Sequence, residues 1–274
     1  MKPFGKEDKT IKVKQSIACV IKTSAHHLKE LLYPMKCLKC GIYMEPSQVV
    51  PKTLETCFCD HCMSAGFYPI EQPYCSKCGI QLPKSHIDNH VCGICLKTPL
   101  NLEKIRATAE YKGIIKEAIP LFKYHSKLSL AKVFEALLFE TLLIHFAKDR
   151  IDLIIPIPLH RAKLRHRGFN QAFMLARNFK KQFCRHFGSP PAWDIDIHAI
   201  DRQKDTDPQT GFDIDQRRNN LKNAFCVAEP ERIKDRSILL VDDVLTTGST
   251  CNEAAGLLLR KGAKKVQALV LARA

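Results

Sequence analysis

Four C-x-x-C pairs lie between residues 37 and 95 and constrain the fold of this chain more than any other feature. The pairs are Cys37/Cys40, Cys59/Cys62, Cys75/Cys78 and Cys92/Cys95. A two-residue spacer lets both thiolates of a pair reach one tetrahedral ion, which makes four pairs a strong signal for metal. Eight thiolates therefore predict two structural zinc sites with four cysteine ligands each. Redox-active pairs are a weaker alternative, because one pair would suffice for that chemistry.

The spacing leaves the grouping of these pairs open. A sequential arrangement joins the first pair with the second and the third with the fourth, and an interleaved cross-brace satisfies the spacing equally well. Cys57 or His61, which lie beside the second pair in "CFCDHC", could replace one of its ligands. Thiolates that bind metal are typical of a reducing compartment, so the cysteine placement predicts a cytoplasmic protein rather than a secreted disulfide scaffold.

The composition is that of a globular protein with a strongly basic charge. Of 274 residues, 26% are charged, and the formal net charge is +15 at pH 7. No apolar run reaches the roughly 18 residues that span a bilayer, so no membrane span is predicted. A basic excess permits a polyanionic partner such as nucleic acid, and it equally permits a phosphorylated small substrate. Charge alone favours neither.

The order of apolar and polar segments predicts three regions. Residues 1–33 form a polar tail and a helix, residues 34–98 a double zinc ribbon, and residues 99–274 an α/β domain. The strands predicted in this domain are 105–111, 151–158, 237–244 and 265–274, and the helices are 114–122, 129–147, 171–187 and 251–261. A strand, a helix and a strand in this order give a right-handed crossover and a parallel sheet. The predicted fold class is therefore α/β with a metal-bound module in front.

The stretch "ILLVDDVLTTGST" at residues 238–250 predicts a ligand site at the edge of that sheet. Ligands of open parallel sheets bind beyond the carboxyl ends of the strands, where Asp242 and Asp243 fall. The small residues that follow are Thr246, Thr247, Gly248, Ser249 and Thr250. Such a loop lets backbone N–H groups converge on a phosphate at a helix N-terminus, while carboxylates accept hydrogen bonds from hydroxyls. The combination suits a sugar phosphate, and the alternative is an ordinary strand end before a capped helix.

This stretch resembles the phosphoribosyl-pyrophosphate signature of type I phosphoribosyltransferases. Further stretches extend the resemblance to the ComF family of competence-associated proteins: "LLYPMKCLKCG", "YCSKCG", "CGIC", "EYKG", "DLIIPIPLHRAKLRHRGFNQA", "DRQKDTDPQTGFDIDQRRNNLKNAF" and "GAKKV". They cover nearly all of the chain from Leu31 onward. Phe212 stands where that family usually has leucine, and Leu221 where it often has valine. The resemblance implies a type I phosphoribosyltransferase-like sheet behind an N-terminal double zinc ribbon.

The resemblance also implies roles for the residues of the predicted site. Asp242 and Asp243 would hold the ribose 2- and 3-hydroxyls, and residues 246–250 would bind the 5-phosphate. Three arginines after the second strand would lie near the pyrophosphate: Arg161, Arg165 and Arg167. Of these, Arg167 joins the two acids as a predicted catalytic residue. Residues 202–220 would form a flexible lid, in which Arg202, Gln209, Arg217 and Asn220 match family positions.

The implied chemistry is displacement of pyrophosphate from the anomeric carbon of phosphoribosyl pyrophosphate, with Mg²⁺ carried by the pyrophosphate oxygens. The acceptor is not readable from the sequence. Two alternatives remain open: a module that binds phosphoribosyl pyrophosphate or DNA without turnover, and a nucleotide-salvage transferase. The ComF family is linked to uptake of single-stranded DNA, which adds such DNA and DNA-processing proteins to the expected partners.

The cysteine module offers basic and aromatic side chains for a DNA strand. They are Lys36, Lys39, Phe58, Phe67, Tyr68, Tyr74 and Lys77. Bases stack on exposed aromatic rings while cations neutralise the backbone, so this interleaving suits single strands. The alternative is that the aromatic residues form the small core of the module.

Overall fold

A computed structural model describes residues 35–44, 53–85, 88–98, 100–124, 127–204 and 224–274. The chain divides into two compact units, Met1–Cys62 and Met63–Ala274. The division falls within the predicted double zinc ribbon, directly after the second of its four C-x-x-C pairs. The predicted tail and helix of residues 1–33 lie outside the described residues.

The first unit is built around a cysteine knuckle. An antiparallel bridge joins Lys36 to Tyr43, and the Gly41 N–H donates to the Cys37 carbonyl over 2.9 Å, which closes the turn between them. A 3₁₀-helix at Leu54–Thr56 and helix α1 at Asp60–Met63 follow. Leu54 and Phe58 are buried and supply the apolar contacts of this small unit.

The second unit contains a parallel sheet. In the described part of the chain it has five strands in the order β1-β7-β6-β2-β3, and every neighbouring pair is parallel. The strands are β1 at Ile105–Glu110, β2 at Leu153–Pro156, β3 at Asp194–Ile195, β6 at Ser237–Leu245 and β7 at Lys265–Arg273. A separate antiparallel pair consists of β4 at Asp201–Arg202 and β5 at Phe225–Cys226. The central strands are continuous apolar runs because helices cover both faces.

Helices surround this sheet. They are α2 at Gly93–Lys97, α3 at Gly113–Tyr124, α4 at Ser129–Phe146, α5 at Arg161–Arg167, α6 at Gln171–Ala176, α7 at Phe179–Phe187 and α8 at Ser249–Arg260; a 3₁₀-helix spans Pro230–Arg232. Helix α8 packs on the face that buries Ile238, Leu240 and Val270. Helix α4 packs against β1 and β7, and α6 against β2 and β6. No helix in the described ranges combines the length and the apolar character that crossing a bilayer requires.

The predicted parallel α/β sheet is confirmed, although its edge strand β3 was not predicted, and one predicted helix needs correction. The helix predicted at 171–187 is interrupted between α6 and α7, because the buried Glu135 of α4 accepts hydrogen bonds from the Asn178 backbone N–H (2.6 Å) and side-chain amide (3.0 Å). Helix α5 was not predicted. The His160 ring caps its start by accepting from the Ala162 N–H at 3.3 Å, and Gly168 ends it with φ of 81°.

The third and fourth cysteine pairs are part of the second unit. The Ile105 N–H of β1 donates to the Lys77 carbonyl over 2.7 Å, and Arg106 Nη1 donates to the Ser76 carbonyl over 3.1 Å. Cys75 and Cys78 belong to the same buried cluster as the strand residues under α8. This cysteine module therefore covers part of the sheet rather than standing apart from it.

Candidate functional site

The eight paired cysteines form two clusters in the sequential grouping. The clusters are Cys37, Cys40, Cys59 and Cys62, and Cys75, Cys78, Cys92 and Cys95; within each, the Sγ atoms lie within 4.8 Å of one another. Cys40 and Cys59 Sγ are 3.7 Å apart, and Cys78 and Cys92 Sγ are 3.8 Å apart. Sulfurs on one tetrahedral zinc, at about 2.3 Å each, stand about 3.8 Å apart. Both clusters therefore fit zinc. Cys57, the alternative ligand, is buried and lies outside the cluster, as does His61.

One thiol in each cluster is prepared for ionisation. Burial opposes the charge on Cys37, but hydrogen bonds from neighbouring backbone N–H groups outweigh it and lower its pKa to about 6. The same two effects act on Cys75. Burial opposes the charge of its thiolate, but the N–H groups of Cys92 (3.3 Å) and Cys78 (3.4 Å) donate to its sulfur and lower its pKa to about 6. Thiolates are the form that binds metal, so these donors favour loading of both clusters.

The two acids lie at the carboxyl end of β6, as the sequence predicted. Each carboxylate accepts the N–H of the following residue: Asp243 N–H to Asp242 Oδ1 at 2.8 Å, and Val244 N–H to Asp243 Oδ1 at 2.7 Å. Side chains alternate along a strand, so Asp242 lies on the side of Leu240 and α8, and Asp243 on the opposite side. Both are largely buried, at 9% and 4% exposure. A ligand at this pair would therefore contact carboxylates that the protein already orients.

Lys123 at the end of α3 is a site residue that the sequence analysis missed. Its Nζ lies 2.7 Å from Asp243 Oδ2, and the two side chains are 18% and 5% exposed. Burial lowers the pKa of the ammonium, but the charges of Asp243 and Asp242 outweigh this and raise it. A signal was present, because Lys123 continues the buried stripe of Ile115 and Ile119 at a spacing of four. A charge on an apolar helix stripe needs a buried partner.

The acid pair carries an unusual charge state. Burial and the neighbouring Asp243 charge raise the pKa of Asp242 to about 7, while the charges of Lys123 and Arg202 oppose the rise. Near neutral pH, Asp242 therefore exchanges between its protonated and ionised forms. A ligand that donates hydrogen bonds to the ionised form would release a proton as it binds.

Of the predicted loop 246–250, residues 246–248 join β6 to α8, and Ser249 and Thr250 are the first two residues of that helix. Gly248 adopts φ of 77°, a left-handed conformation that residues with a side chain rarely take, and α8 begins at the next residue. Thr247 Oγ1 and Ser249 Oγ lie 2.7 Å apart. Thr246 is exposed, and Thr250 is half-buried in the first turn of the helix. The predicted loop therefore sits between the acids and a helix N-terminus, which is the arrangement that suits a phosphate.

The basic segment, residues 157–168, follows β2 and contains the three predicted arginines. It begins next to the acid pair, because the Ile157 N–H donates to the Val241 carbonyl of β6 at 2.9 Å. Its three predicted arginines differ in their surroundings. Arg161 is exposed with Nη2 at 3.6 Å from Asp201 Oδ2, and Arg165 is exposed. Arg167 is half-buried: its Nη1 donates to Gln171 Oε1 at 2.6 Å, and its guanidinium lies 5.0 Å from the centre of the Tyr124 ring.

The predicted lid lies mostly outside the described residues, including Gln209, Arg217 and Asn220. Arg202 is described and buried in β4, where its guanidinium lies 5.6 Å from the Phe225 ring centre. Its positive charge lowers the pKa of Asp242. Arg202, which was predicted as part of the lid, therefore acts on Asp242 from β4.

The aromatic residues of the cysteine modules divide between core and surface. Phe58 and Tyr74 are buried, which supports the core alternative for these two. Tyr68 is exposed, with the Lys112 ammonium 4.2 Å from its ring centre. In the first unit the sequence analysis missed Tyr43, which is 63% exposed and lies 4.6 Å below the Lys36 ammonium.

Several known proteins are similar to this chain over most of its length. The chain is 35% identical over 208 residues to Competence protein F of Haemophilus influenzae, an alignment that covers 74% of this chain and 85% of the relative. The chain belongs to the ComF family. This ComF-family chain is also 33% identical over 208 residues to DNA utilization protein YhgH of Escherichia coli O6:H1, with the same coverage of 74% and 85%. It is 26% identical over 226 residues to Competence protein ComFC of Bacillus subtilis, again covering 74% and 85%.

A sequence model described as phosphoribosyl transferase domain matches residues 175–274 of the ComF-family chain. The matched range contains β6 with the acid pair, the loop, α8 and β7. This ComF-family protein therefore combines a phosphoribosyltransferase domain with two four-cysteine clusters, and its relatives carry names related to competence and DNA utilization.

Proposed function

We propose that this protein binds phosphoribosyl pyrophosphate with Mg²⁺ at the carboxyl end of β6. The observation that carries the proposal is the continuity of three parts: the oriented carboxylates of Asp242 and Asp243, the loop that turns at Gly248, and the N-terminus of α8. The acids would accept hydrogen bonds from the ribose hydroxyls, and the loop N–H groups would hold the 5-phosphate. Mg²⁺ would arrive bound to the pyrophosphate oxygens.

The basic segment extends this site toward the pyrophosphate. Arg167 is the arginine best fixed for that role, because Gln171 and Tyr124 hold its guanidinium. A planar guanidinium pairs with two phosphate oxygens at once. Arg161 and Arg165 are exposed, so they would contribute charge more than fixed geometry.

Calorimetry with phosphoribosyl pyrophosphate and Mg²⁺ tests the site. The double variant Asp242→Asn/Asp243→Asn should lose about tenfold to a hundredfold in affinity for each charge-assisted hydrogen bond removed, at about 1.5–3 kcal/mol each. The matched control is Glu229→Gln/Glu231→Gln, which removes two exposed charges elsewhere and should bind like the wild type. Unchanged affinity in the aspartate variant would reject the site.

The reaction that fits this ligand is phosphoribosyl transfer, in which a nucleophile displaces pyrophosphate from the anomeric carbon. The developing positive charge on the ribose ring would be stabilised electrostatically by the acid pair. Assays of pyrophosphate release with candidate acceptors separate an enzyme from a protein that only senses the ligand. Tight binding without release with any acceptor would support the sensing alternative.

We further propose that both clusters hold zinc and that the protein works in competence or DNA utilization, in the cytoplasm, on single-stranded DNA. Support comes from the sulfur spacing, the net charge of +15 and the exposed Tyr43 beneath the Lys36 ammonium. Metal analysis should return about two zinc ions per chain.

Binding of a single-stranded oligonucleotide should weaken as salt rises, and Lys36→Ala/Tyr43→Ala should weaken it further. Salt-independent binding, or none, would remove the DNA role.

A further inference from the structure

The end of helix α3 contacts both halves of the proposed phosphoribosyl-pyrophosphate site. Lys123 Nζ lies 2.7 Å from Asp243 Oδ2 of the acid pair. The next residue, Tyr124, places its ring under the guanidinium of Arg167, with 5.0 Å between the guanidinium carbon and the ring centre. Two consecutive residues therefore link the acids on β6 to the basic segment that follows β2.

The Lys123 ammonium affects both the charge and the conformation of the acid pair. Two adjacent buried carboxylates accept hydrogen bonds from ribose hydroxyls best when both are ionised, yet the charge of Asp243 favours protonation of Asp242. The ammonium of Lys123 balances one of these two charges and also fixes the rotamer of Asp243 through a direct contact. A lysine on a buried helix stripe is costly unless such a partner is present.

We propose that Lys123 is a positioning residue of the phosphoribosyl-pyrophosphate site, which acts through Asp243 by holding its carboxylate and balancing its charge. This role rests on the proposed function of that pair. The competing explanation is a structural one, in which the ion pair only attaches α3 to β6.

Protonation of the acid pair distinguishes these explanations. The Lys123 charge opposes the rise in the pKa of Asp242, which burial and Asp243 bring to about 7. Without the ammonium, that pKa rises further, so Asp242 is protonated at neutral pH and one acceptor for a ribose hydroxyl is lost. Among the described residues, Arg202 of β4 and Cys251 of α8 also interact with the acid pair, and Tyr124 of α3 acts on Lys123.

Calorimetry with phosphoribosyl pyrophosphate and Mg²⁺ at pH 7.0 and pH 8.5 tests the role in three variants of the full chain. Lys123→Met should bind at least about tenfold more weakly than the wild type at pH 7.0, and the difference should narrow at pH 8.5 as Asp242 ionises. Lys123→Arg should recover most of the affinity, because it restores the charge.

The matched control is Lys104→Met, which breaks a similarly buried ion pair away from the acid pair. Lys104 Nζ lies 2.5 Å from Asp149 Oδ2, with side chains 19% and 22% exposed. This variant should lower the melting temperature yet leave the affinity unchanged. Equal binding by wild type and Lys123→Met would overturn the positioning role alone. So would a loss that is the same at both pH values and is not rescued by arginine. Absence of binding by the wild type would instead remove the proposed function, and this role with it.

Discussion

The two four-cysteine clusters share their local chemistry and differ in what surrounds them. Each begins with C-x-x-C-G, in which the glycine has positive φ: 77° at Gly41 and 67° at Gly79. In the second cluster Cys75 and Cys78 are buried in the core of the sheet unit, whereas Cys40 of the first is exposed. The same knuckle sequence therefore gives the same local turn in both clusters, while its packing differs, and we expect loss of a metal ligand to have different consequences in each.

The second cluster is also connected to the proposed ligand loop. Arg273 of β7 places Nη2 at 3.5 Å from Cys78 Sγ, and the same arginine pairs with Leu245 at the end of β6. Thr246, the first loop residue, follows directly. If this cluster holds metal as proposed, we expect the metal to stabilise the strand ends from which the loop departs.

We expect the largest difference in stability between the two clusters when a metal ligand is removed from each. Structural zinc contributes about 10–16 kcal/mol to folding in zinc-finger peptides, so Cys78→Ala should strongly lower the main melting transition of the sheet unit. Cys40→Ala should reduce bound zinc from about two ions per chain to about one, yet leave that transition in place. Circular dichroism melts with metal analysis check this. Equal loss of the main transition in both variants would remove the distinction.

We expect an intermediate difference in the free energy of unfolding when the glycine of each knuckle is replaced by alanine. A left-handed backbone costs a residue with a side chain about 1–2 kcal/mol, so Gly41→Ala and Gly79→Ala share that penalty. A Cβ at Gly79 would also stand 2.6 Å from the Ile105 carbonyl oxygen of β1, whereas at Gly41 it meets nothing within 4 Å. Urea unfolding should therefore show Gly79→Ala as the less stable variant, by roughly 1–3 kcal/mol. Equal stabilities would show that the second knuckle does not pack tightly on β1.

We expect the smallest of these effects on stability from the titration of His145. This residue lies beside Tyr74, with Nδ1 3.4 Å from the Tyr74 hydroxyl, next to the second cluster. Burial, and then the charges of Arg106 and Lys104, lower its pKa from 6.5 to about 4. Between those values the unfolded chain binds the proton first, so stability falls as the pH drops from about 6.5 toward 4.

His145→Gln should lose less stability than the wild type between pH 7 and pH 4.5 in urea titrations. The control is His186→Gln, which replaces an exposed histidine and leaves both cysteine clusters intact. Its stability should depend on pH as that of the wild type does. A fall in His145→Gln that equals or exceeds that in the control would contradict the assignment.

Local patterns predicted the four long strands β1, β2, β6 and β7, the position of the acid pair and the four knuckles, because each depends on residues close together in sequence; they did not predict the two-residue strands β3, β4 and β5. The contacts that the prediction missed join distant segments. Lys123 and Asp243 are brought together by α3 and β6, and Glu135 interrupts a helix by binding Asn178 from α4. The packing of Cys75 and Cys78 against the sheet has no local pattern either, since the C-x-x-C-G sequence is the same in both clusters.

The most direct test is a crystal structure with phosphoribosyl pyrophosphate and Mg²⁺ at saturating concentration. The account predicts the ribose hydroxyls at the carboxylates of Asp242 and Asp243, and the 5-phosphate on the N–H groups of residues 246–250. Ligand bound elsewhere, or acids that keep only their protein contacts while the ligand occupies another site, would contradict it.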